Sequence, residues 1–232
     1  NTLFPYTTLF RSIIDQHTGH YTAGSHTAID VIRAKDEQGQ VGLSHVQVLT
    51  PSHFTATGKA IIMAGRKSAD ALWPITNKLS QFVYKMLRYR GFTDTDILFL
   101  SPESAQDENV DLEATVENMD YALTEWAKGS PELFVYLIDH GEQIDNDSYI
   151  RCSETEILYA SQLDNWLDEL QNSGTGLITV VVDCCQSGGF IKKCHATGDQ
   201  QRVVIASSRT DEPSFFSVSG LVSFTYLFAS SL

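Results

Sequence analysis

His140 and Cys185 are the two residues whose types and positions could carry covalent chemistry. The apolar run of residues 133–138 ends two residues before His140, and that of residues 177–182 ends three before Cys185. Apolar runs of this length, rich in β-branched residues, are typical of strands buried on both faces of a parallel sheet. Catalytic sites in open α/β sheets lie at the carboxyl ends of the strands, where neighbouring strands would bring an imidazole and a thiol together. We therefore predict that Cys185 is a nucleophile and His140 its base.

An oxyanion site is predicted from the same two motifs. Gly141 offers a backbone N–H with no side chain beside it, and Cys185 offers its own N–H. Two such donors could hold the negative oxygen of a tetrahedral intermediate, each contributing about 3 kcal/mol. The chemistry implied is acyl transfer through a covalent thioester.

Length and charge narrow the classes of partner. The chain has 232 residues, 42% of them hydrophobic, and a formal net charge of −13. An acidic surface repels phosphate, which disfavours nucleic acids and anionic membranes and mildly favours basic peptides. No apolar stretch reaches the roughly 20 residues of a membrane-spanning helix. Four cysteines, two of them adjacent, do not resemble a disulfide framework.

Residues 59–232 alternate between strand and helix patterns, which predicts an α/β domain with a mostly parallel sheet. A short hairpin is predicted over the end of the sheet, from residues 149–152 and 156–159. Ser161 is predicted to cap the helix that follows the hairpin. The predicted strands are residues 60–65, 97–100, 133–138, 177–182 and 203–206, and the predicted helices are residues 73–90, 111–128, 162–171, 188–193 and 223–228. The sequence allows a domain that continues past Leu232.

The first 58 residues differ from the rest. Residues 1–12 resemble a sequencing adapter translated in frame, and we leave them out of the fold prediction. Residues 13–52 form a small β segment whose alternating stretches, 26–34 and 41–48, predict a hairpin. Residues 53–58, with small and polar side chains, are the predicted linker. The hairpin resembles the end of an immunoglobulin-like domain, which would favour an extracellular or cell-surface location; the alternative is a hairpin that belongs to the main domain.

The two motifs together resemble the caspase–legumain clan of cysteine peptidases. Asp139-His140-Gly141 is similar to the legumain motif, and the run from Asp183 to Gly188, Asp-Cys-Cys-Gln-Ser-Gly, is similar to the metacaspase motif. Cys185 follows His140 by 45 residues, close to the spacing of about 50 in caspases. The resemblance covers residues 59–232 and implies a caspase–hemoglobinase-like three-layer sandwich and a cysteine endopeptidase.

The resemblance also implies roles for single residues. Cys185 takes the position of the nucleophile, because Cys184 occupies the small-residue position before it. The asparagine that helps to orient the histidine in legumain has no clear counterpart, so we predict a catalytic dyad. No cofactor and no metal are implied, and the partner is a peptide or protein substrate.

Substrate preference depends on Asp183, which lies two residues before the nucleophile. In the clan this position lines the primary specificity pocket, and an acid there resembles enzymes that cleave after Arg or Lys. Legumain cleaves after Asn and also has an acid there, with further charged residues for which Arg66 is a candidate here. Residues 220–222 lack the acid that the family shows. We predict a basic P1 residue over Asn, with Ser207 and Ser208 pairing with the substrate backbone by β-augmentation.

Alternative functions and sites remain open at this stage. A transpeptidase or ligase would use the same acyl-enzyme, resolved by an amine in place of water. A catalytically silent binding or adhesion module would not need His140 and Cys185. Zinc at Cys194 and His195 lacks the spacing of structural zinc sites, and residues 145–147 lack the twelve-residue calcium loop, so no metal is expected.

Overall fold

A computed structural model of the chain describes most of the second part of the sequence and separate stretches of the first. Atomic contacts divide the chain into two units, Asn1–Thr55 and Ala56–Leu232. Residues 7–12, 53–55 and 220–222, on which some predictions fall, lie outside the described residues. The described residues are 2–6, 13–14, 21–22, 28–35, 38–48, 56–66, 69–102, 109–216 and 223–230.

The first unit is made of antiparallel strands. Three of them form a sheet in the order β1 (Thr2–Tyr6), β4 (Ala28–Lys35) and β5 (Val41–Val48). The short strands β2 (Ile13–Ile14) and β3 (Tyr21–Thr22) pair with each other. The β4–β5 pair coincides with the predicted hairpin. Its membership of an immunoglobulin-like domain, and the adapter origin of residues 1–12, stay predictions.

The second unit is built on a five-stranded sheet in which every neighbouring pair is parallel. The spatial order is β13-β12-β8-β6-β7. The predicted α/β fold with a mostly parallel sheet is therefore confirmed, and each predicted strand is present within one or two residues. The strands are β6 (Lys59–Ala64), β7 (Ile97–Leu100), β8 (Glu132–Ile138), β12 (Leu177–Asp183) and β13 (Arg202–Ala206).

Helices cover both faces of this sheet, giving three layers. Alternate residues of each strand point to opposite faces, so one face packs on α1 and α5 and the other on α2, α3 and α4. Among the described residues, no helix is both long and apolar enough to cross a membrane. The helices are α1 (Trp73–Tyr89), α2 (Val116–Tyr121) with a π-helical continuation (Ala122–Trp126), α3 (Ala160–Asn172), α4 (Gly188–Lys193) and α5 (Phe224–Ala229).

The helix predicted over residues 111–128 is wrong at its start. Asp111 accepts a hydrogen bond from the Phe99 N–H at 2.9 Å, and Leu112 bridges to Leu100 at the sheet edge. The helix begins only after Thr115, whose hydroxyl accepts the Asn118 N–H at 3.1 Å as an N-cap. Pairing with the sheet therefore outweighs the apolar periodicity of this stretch.

A second, antiparallel sheet lies in the segment between His140 and α3, in the order β11-β10-β9. Strands β10 (Asp147–Arg151) and β11 (Ile157–Tyr159) form the predicted hairpin. Strand β9 (Gly141–Ile144) was not predicted. The prediction that Ser161 caps α3 is wrong, because the helix begins at Ala160; the Ser161 hydroxyl instead donates to Asp147.

The edge strand β13 is anchored to α3 by a buried cation. The Arg202 side chain is fully buried, and its guanidinium donates to Asp164 at 2.9 Å and to Asp168 at 2.7 Å. Gln171 Oε1 accepts two more of its N–H groups. This network fixes the strand that leads into Ser207 and Ser208.

Candidate active site

The register of β8 and β12 brings the two sequence motifs to one edge of the sheet. Ile138 and Asp183 are paired across these parallel strands, and the Asp139 N–H donates to the Asp183 carbonyl at 3.4 Å. His140 and Cys185 each lie two residues beyond that pair. The carboxyl ends of both strands therefore deliver the imidazole and the thiol to the same edge, as catalytic sites in α/β sheets require.

Gly141 explains how the two segments approach so closely. A β-carbon at this position would lie 2.5 Å from the Cys185 carbonyl oxygen, and closer still to the Cys184 Sγ. No residue with a side chain fits without displacing the backbone that carries the thiol. The glycine therefore sets the separation between the His140 and Cys185 segments.

The two adjacent cysteines have different environments. Cys184 is fully buried, and burial raises the pKa of its thiol well above the ordinary value. Cys152 and Cys194 are buried as well, whereas Cys185 is partly exposed. Because the thiolate is the reactive form of cysteine, burial makes Cys184 a poor nucleophile, and among the four cysteines Cys185 is the one exposed to solvent.

The turn after Cys185 is unusual. Gln186 has a φ of 56°, a left-handed conformation that non-glycine residues adopt at a cost of about 1 kcal/mol or more. Its N–H donates to the Glu212 carbonyl at 2.9 Å, and the Cys185 thiol donates to the Ser214 carbonyl at 3.8 Å. The segment that follows β13 thus holds the strained turn and lies against the nucleophile candidate.

Ser207 and Ser208 are hydrogen-bonded to residues on either side of Cys185. The Ser208 hydroxyl donates to the Cys184 carbonyl at 3.0 Å, and the Ser208 N–H donates to the Ser187 hydroxyl at 3.0 Å. The Ser207 N–H is bonded to the Val182 carbonyl within the sheet. Both residues therefore contact the segment around the two cysteines, and these N–H groups are engaged inside the protein; their pairing with a substrate stays a prediction.

Asp183 lies at the base of this region and has no exposed surface. One carboxylate oxygen accepts the Ser214 hydroxyl at 3.0 Å, and the other accepts the Thr225 hydroxyl at 2.5 Å. The Thr225 hydroxyl also lies 2.6 Å from that of Tyr136. Burial, and then the charge of Asp183, raise the pKa of Tyr136 well above its ordinary value. Each Asp183 oxygen therefore already has a hydroxyl partner inside the protein.

His140 is held mainly through its backbone. Its N–H donates to Asp139 Oδ1 at 2.6 Å, and its carbonyl accepts the Arg151 N–H at 3.0 Å. The side chain is 42% exposed. Asp139 itself is almost fully buried, and this burial raises the pKa of its carboxyl to about 7, against the opposing hydrogen bond from His140.

Asp70 is a site residue that sequence reasoning missed. Its Oδ1 lies 3.4 Å from His140 Nε2, and its Oδ2 lies 3.2 Å from Arg66 Nε. Asp70 belongs to the loop between β6 and α1, which has no periodic pattern to mark it. One signal was available, because this loop leaves the carboxyl end of β6, beside β8 and at the same edge of the sheet.

Two cavities open near these residues. A small one of about 230 Å³ is lined by Arg66, His140, Gly141, Glu142, Tyr149 and Arg151. A larger open cleft, of about 880 Å³, includes Ser207, Ser208, Gly188 and Lys192 in its lining. Within the described part of the chain, no cluster of three or more His, Cys, Asp or Glu is arranged to hold a metal ion.

Two comparisons with known proteins bear on the class of this chain. A search among curated proteins gives no significant match. The Peptidase C13 family model matches residues 127–229, somewhat less than half of the chain, and this range includes every predicted site residue from His140 to Ser208. The match supports a cysteine peptidase of the legumain type.

Proposed function

We propose that the chain is a cysteine endopeptidase in which Cys185 attacks the peptide carbonyl and His140 acts as the base. The observation that carries the proposal is the parallel register of β8 and β12, which sets the two motifs side by side at a sheet edge. The Peptidase C13 match over the same motifs supports the class of reaction. Both side chains are partly exposed, as groups that react with a substrate must be.

The reaction follows from the groups at hand. His140 accepts the proton of Cys185, and the resulting thiolate forms a bond to the carbonyl carbon of the substrate. The imidazolium then gives its proton to the leaving amine as the C–N bond breaks, which leaves an acyl-enzyme. Water, deprotonated by the same imidazole, attacks the thioester and releases the carboxylic acid and the thiol.

The oxyanion of the tetrahedral intermediate is assigned to the N–H groups of Gly141 and Cys185. The support is the close approach of Gly141 to the Cys184–Cys185 backbone, which leaves no room for a β-carbon between them. Each donor of this kind is worth about 3 kcal/mol in the transition state. A side chain at position 141 would disturb both donors.

A basic P1 residue is proposed because Asp183 is a buried carboxylate whose present partners are neutral hydroxyls. A guanidinium or ammonium forms a charge-assisted pair, which is about twice as strong as a hydrogen bond between neutral groups. Displacing the Ser214 hydroxyl is therefore favourable for an Arg or Lys side chain. Ser207 and Ser208 are proposed to contact the substrate backbone beside this pocket.

Fluorogenic peptides that end in Arg, Lys or Asn test the proposal. We expect cleavage after Arg and Lys that falls by more than about 10⁴-fold in Cys185→Ala and in His140→Ala, while Cys184→Ala stays active. Cleavage after Asn alone would overturn the P1 assignment. Cleavage that survives in Cys185→Ala would overturn the mechanism.

A further inference from the structure

The carboxylate of Asp70 lies against the His140 ring and is held by contacts of its own. Asp70 Oδ1 accepts the Leu72 N–H at 2.8 Å and lies 3.4 Å from His140 Nε2. The other oxygen pairs with Arg66 Nε at 3.2 Å. Arg66 has a φ of 67°, and its N–H donates to the Cys152 carbonyl at 2.9 Å. The backbone of Arg66 is thus held in place by a hydrogen bond, and its guanidinium pairs with Asp70.

The charge state of Asp70 follows from these contacts. Partial burial acts to raise the pKa of its carboxyl, but the Leu72 N–H, the His140 ring and the Arg66 guanidinium outweigh it and lower the pKa. The group is therefore a carboxylate at neutral pH and can only accept hydrogen bonds. The ring nitrogen that faces it, Nε2, must carry a proton for the contact to be favourable.

Other charged groups near His140 are occupied elsewhere. Asp139 Oδ1 accepts the backbone N–H of His140, and Glu142 accepts the Tyr149 hydroxyl at 2.9 Å. Arg151 stacks over the Tyr149 ring. Among the residues that the structure describes, Asp70 is the acidic side chain that reaches the imidazole.

We propose that Asp70 is the positioning residue for His140: it holds the ring proton on Nε2 and leaves Nδ1 as the nitrogen that accepts the Cys185 proton. The inference rests on the proposed peptidase function and turns the dyad into a Cys185–His140–Asp70 triad. When the thiol proton moves to Nδ1, the imidazolium keeps its Nε2–H on the carboxylate. The carboxylate itself takes no proton, and its charge stabilises the imidazolium as it forms.

Nitrogen-15 NMR of the histidine rings tests the tautomer without any substrate. The His140 signals are assigned by their loss in His140→Gln. We expect wild-type His140, in its neutral form, to carry its proton on Nε2, and Asp70→Ala to shift the population towards Nδ1–H. A wild-type ring with its proton on Nδ1, or a tautomer that Asp70→Ala leaves unchanged, would overturn the inference.

Kinetics separate positioning from loop stability. Asp70→Asn should lower kcat by about 10- to 100-fold with little change in KM, because orienting the base is part of the 10²- to 10⁴-fold that general base catalysis contributes. Asp70→Glu should recover part of the loss. Arg66→Gln removes the loop ion pair and keeps Asp70, so its kcat should fall less. If kcat fell as much in Arg66→Gln as in Asp70→Asn, Asp70 would act only by stabilising the loop through its ion pair with Arg66.

The matched control is Asp94→Asn, at the amino ends of the strands. Asp94 Oδ1 pairs with Arg88 Nε at 3.1 Å, a similar ion pair far along the chain from the motifs. The kcat of Asp94→Asn should equal that of the wild type. A loss as large as that in Asp70→Asn would contradict the positioning role of Asp70. A wild type that cleaves no peptide would overturn the proposed function itself, whereas an active wild type that tolerates Asp70→Asn would overturn only the role of Asp70.

Discussion

The thiol side and the imidazole side of the candidate site are held in place by different forces. Cys185 follows β12, the strand next to the sheet edge. The turn that carries it is bonded to Ser187, Ser207 and Ser208 and packed against Gly141. The ring of His140 is about half exposed, and the side chain described in contact with it is Asp70, which also forms an ion pair with Arg66. Hydrogen bonds and steric fit therefore position the nucleophile, whereas the ring of His140, beyond its bonded backbone, is positioned by charge.

This difference determines what each side tolerates. Packing in a protein interior fails steeply when a single methyl group is added. A contact between charged groups at a partly exposed ring is weakened by solvent screening, so removing it should lower activity only moderately. Changes on the thiol side should therefore be more damaging than changes on the imidazole side.

Among variants that keep both the thiol and the imidazole, Gly141→Ala should have the largest effect, because its methyl group would meet the Cys185 carbonyl and the Cys184 Sγ. We expect kcat/KM to fall by about 100-fold or more, since one oxyanion donor alone is worth that much. The double variant Gly141→Ala/Cys184→Ala removes the contact with sulfur and should recover part of the loss. A single variant with normal kcat/KM would show that steric fit does not set the geometry.

Asp139→Asn tests the buried carboxyl beneath His140 through stability. Its raised pKa, about 7, means that the folded protein binds a proton that the unfolded chain releases near pH 4. Stability is therefore lost as pH rises from about 4 to 7, by about 4 kcal/mol. The amide keeps the acceptor for the His140 N–H without this loss.

Urea denaturation at pH 5 and pH 8 measures the effect of Asp139→Asn. We expect the wild type to lose more stability between the two values than the variant does. If the stability of the two proteins depended equally on pH, the pKa of the Asp139 carboxyl would not be raised by burial.

Ser214→Ala tests whether the Ser214 hydroxyl competes with a P1 side chain for Asp183. Removing the hydroxyl leaves Asp183 with Thr225 as its remaining donor, so a P1 guanidinium has less to displace. We expect about a fivefold lower KM for an Arg peptide, which corresponds to about 1 kcal/mol for one hydrogen bond. Ser173→Ala, at the end of α3, is the control. A higher KM in Ser214→Ala would instead assign Ser214 to substrate binding.

Asn146→Gly should give the smallest change, in the β9–β10 turn that follows the His140 motif. Asp145 and Asn146 have φ values of 50° and 63°, as in a type I′ turn, which prefers glycine at its second central position. We expect a gain of about 0.5 kcal/mol in the free energy of unfolding, measured in urea. A loss of stability would mean that the Asn146 side chain stabilises the turn.

Sequence patterns were most informative where burial is uniform. The strands that end before His140 and Cys185 were predicted correctly, because a strand covered by helices on both faces must be apolar at every position. Patterns failed at residues 111–115, where hydrogen bonds of Asp111 and Leu112 with the sheet edge replace the expected helix. Such pairing depends on distant residues and leaves no local signal.

The site was predictable only in part for a related reason. Motifs identified His140, Gly141 and Cys185, and these lie in the range that matches the Peptidase C13 family. Asp70 lies outside that range and contacts a ring 70 residues away, and the Ser214 contact with Asp183 spans 31 residues. Contacts made by single polar side chains across loops have no periodicity from which they could be read.

Covalent labelling tests the central claim most directly. A peptide acyloxymethyl ketone that ends in Arg is incubated with the protein, and the modified residue is located by peptide mass spectrometry. We predict one adduct on Cys185, which is absent in Cys185→Ala, retained in Cys184→Ala and formed more slowly in His140→Ala. An adduct on Cys184, or labelling that persists without Cys185, would contradict the account.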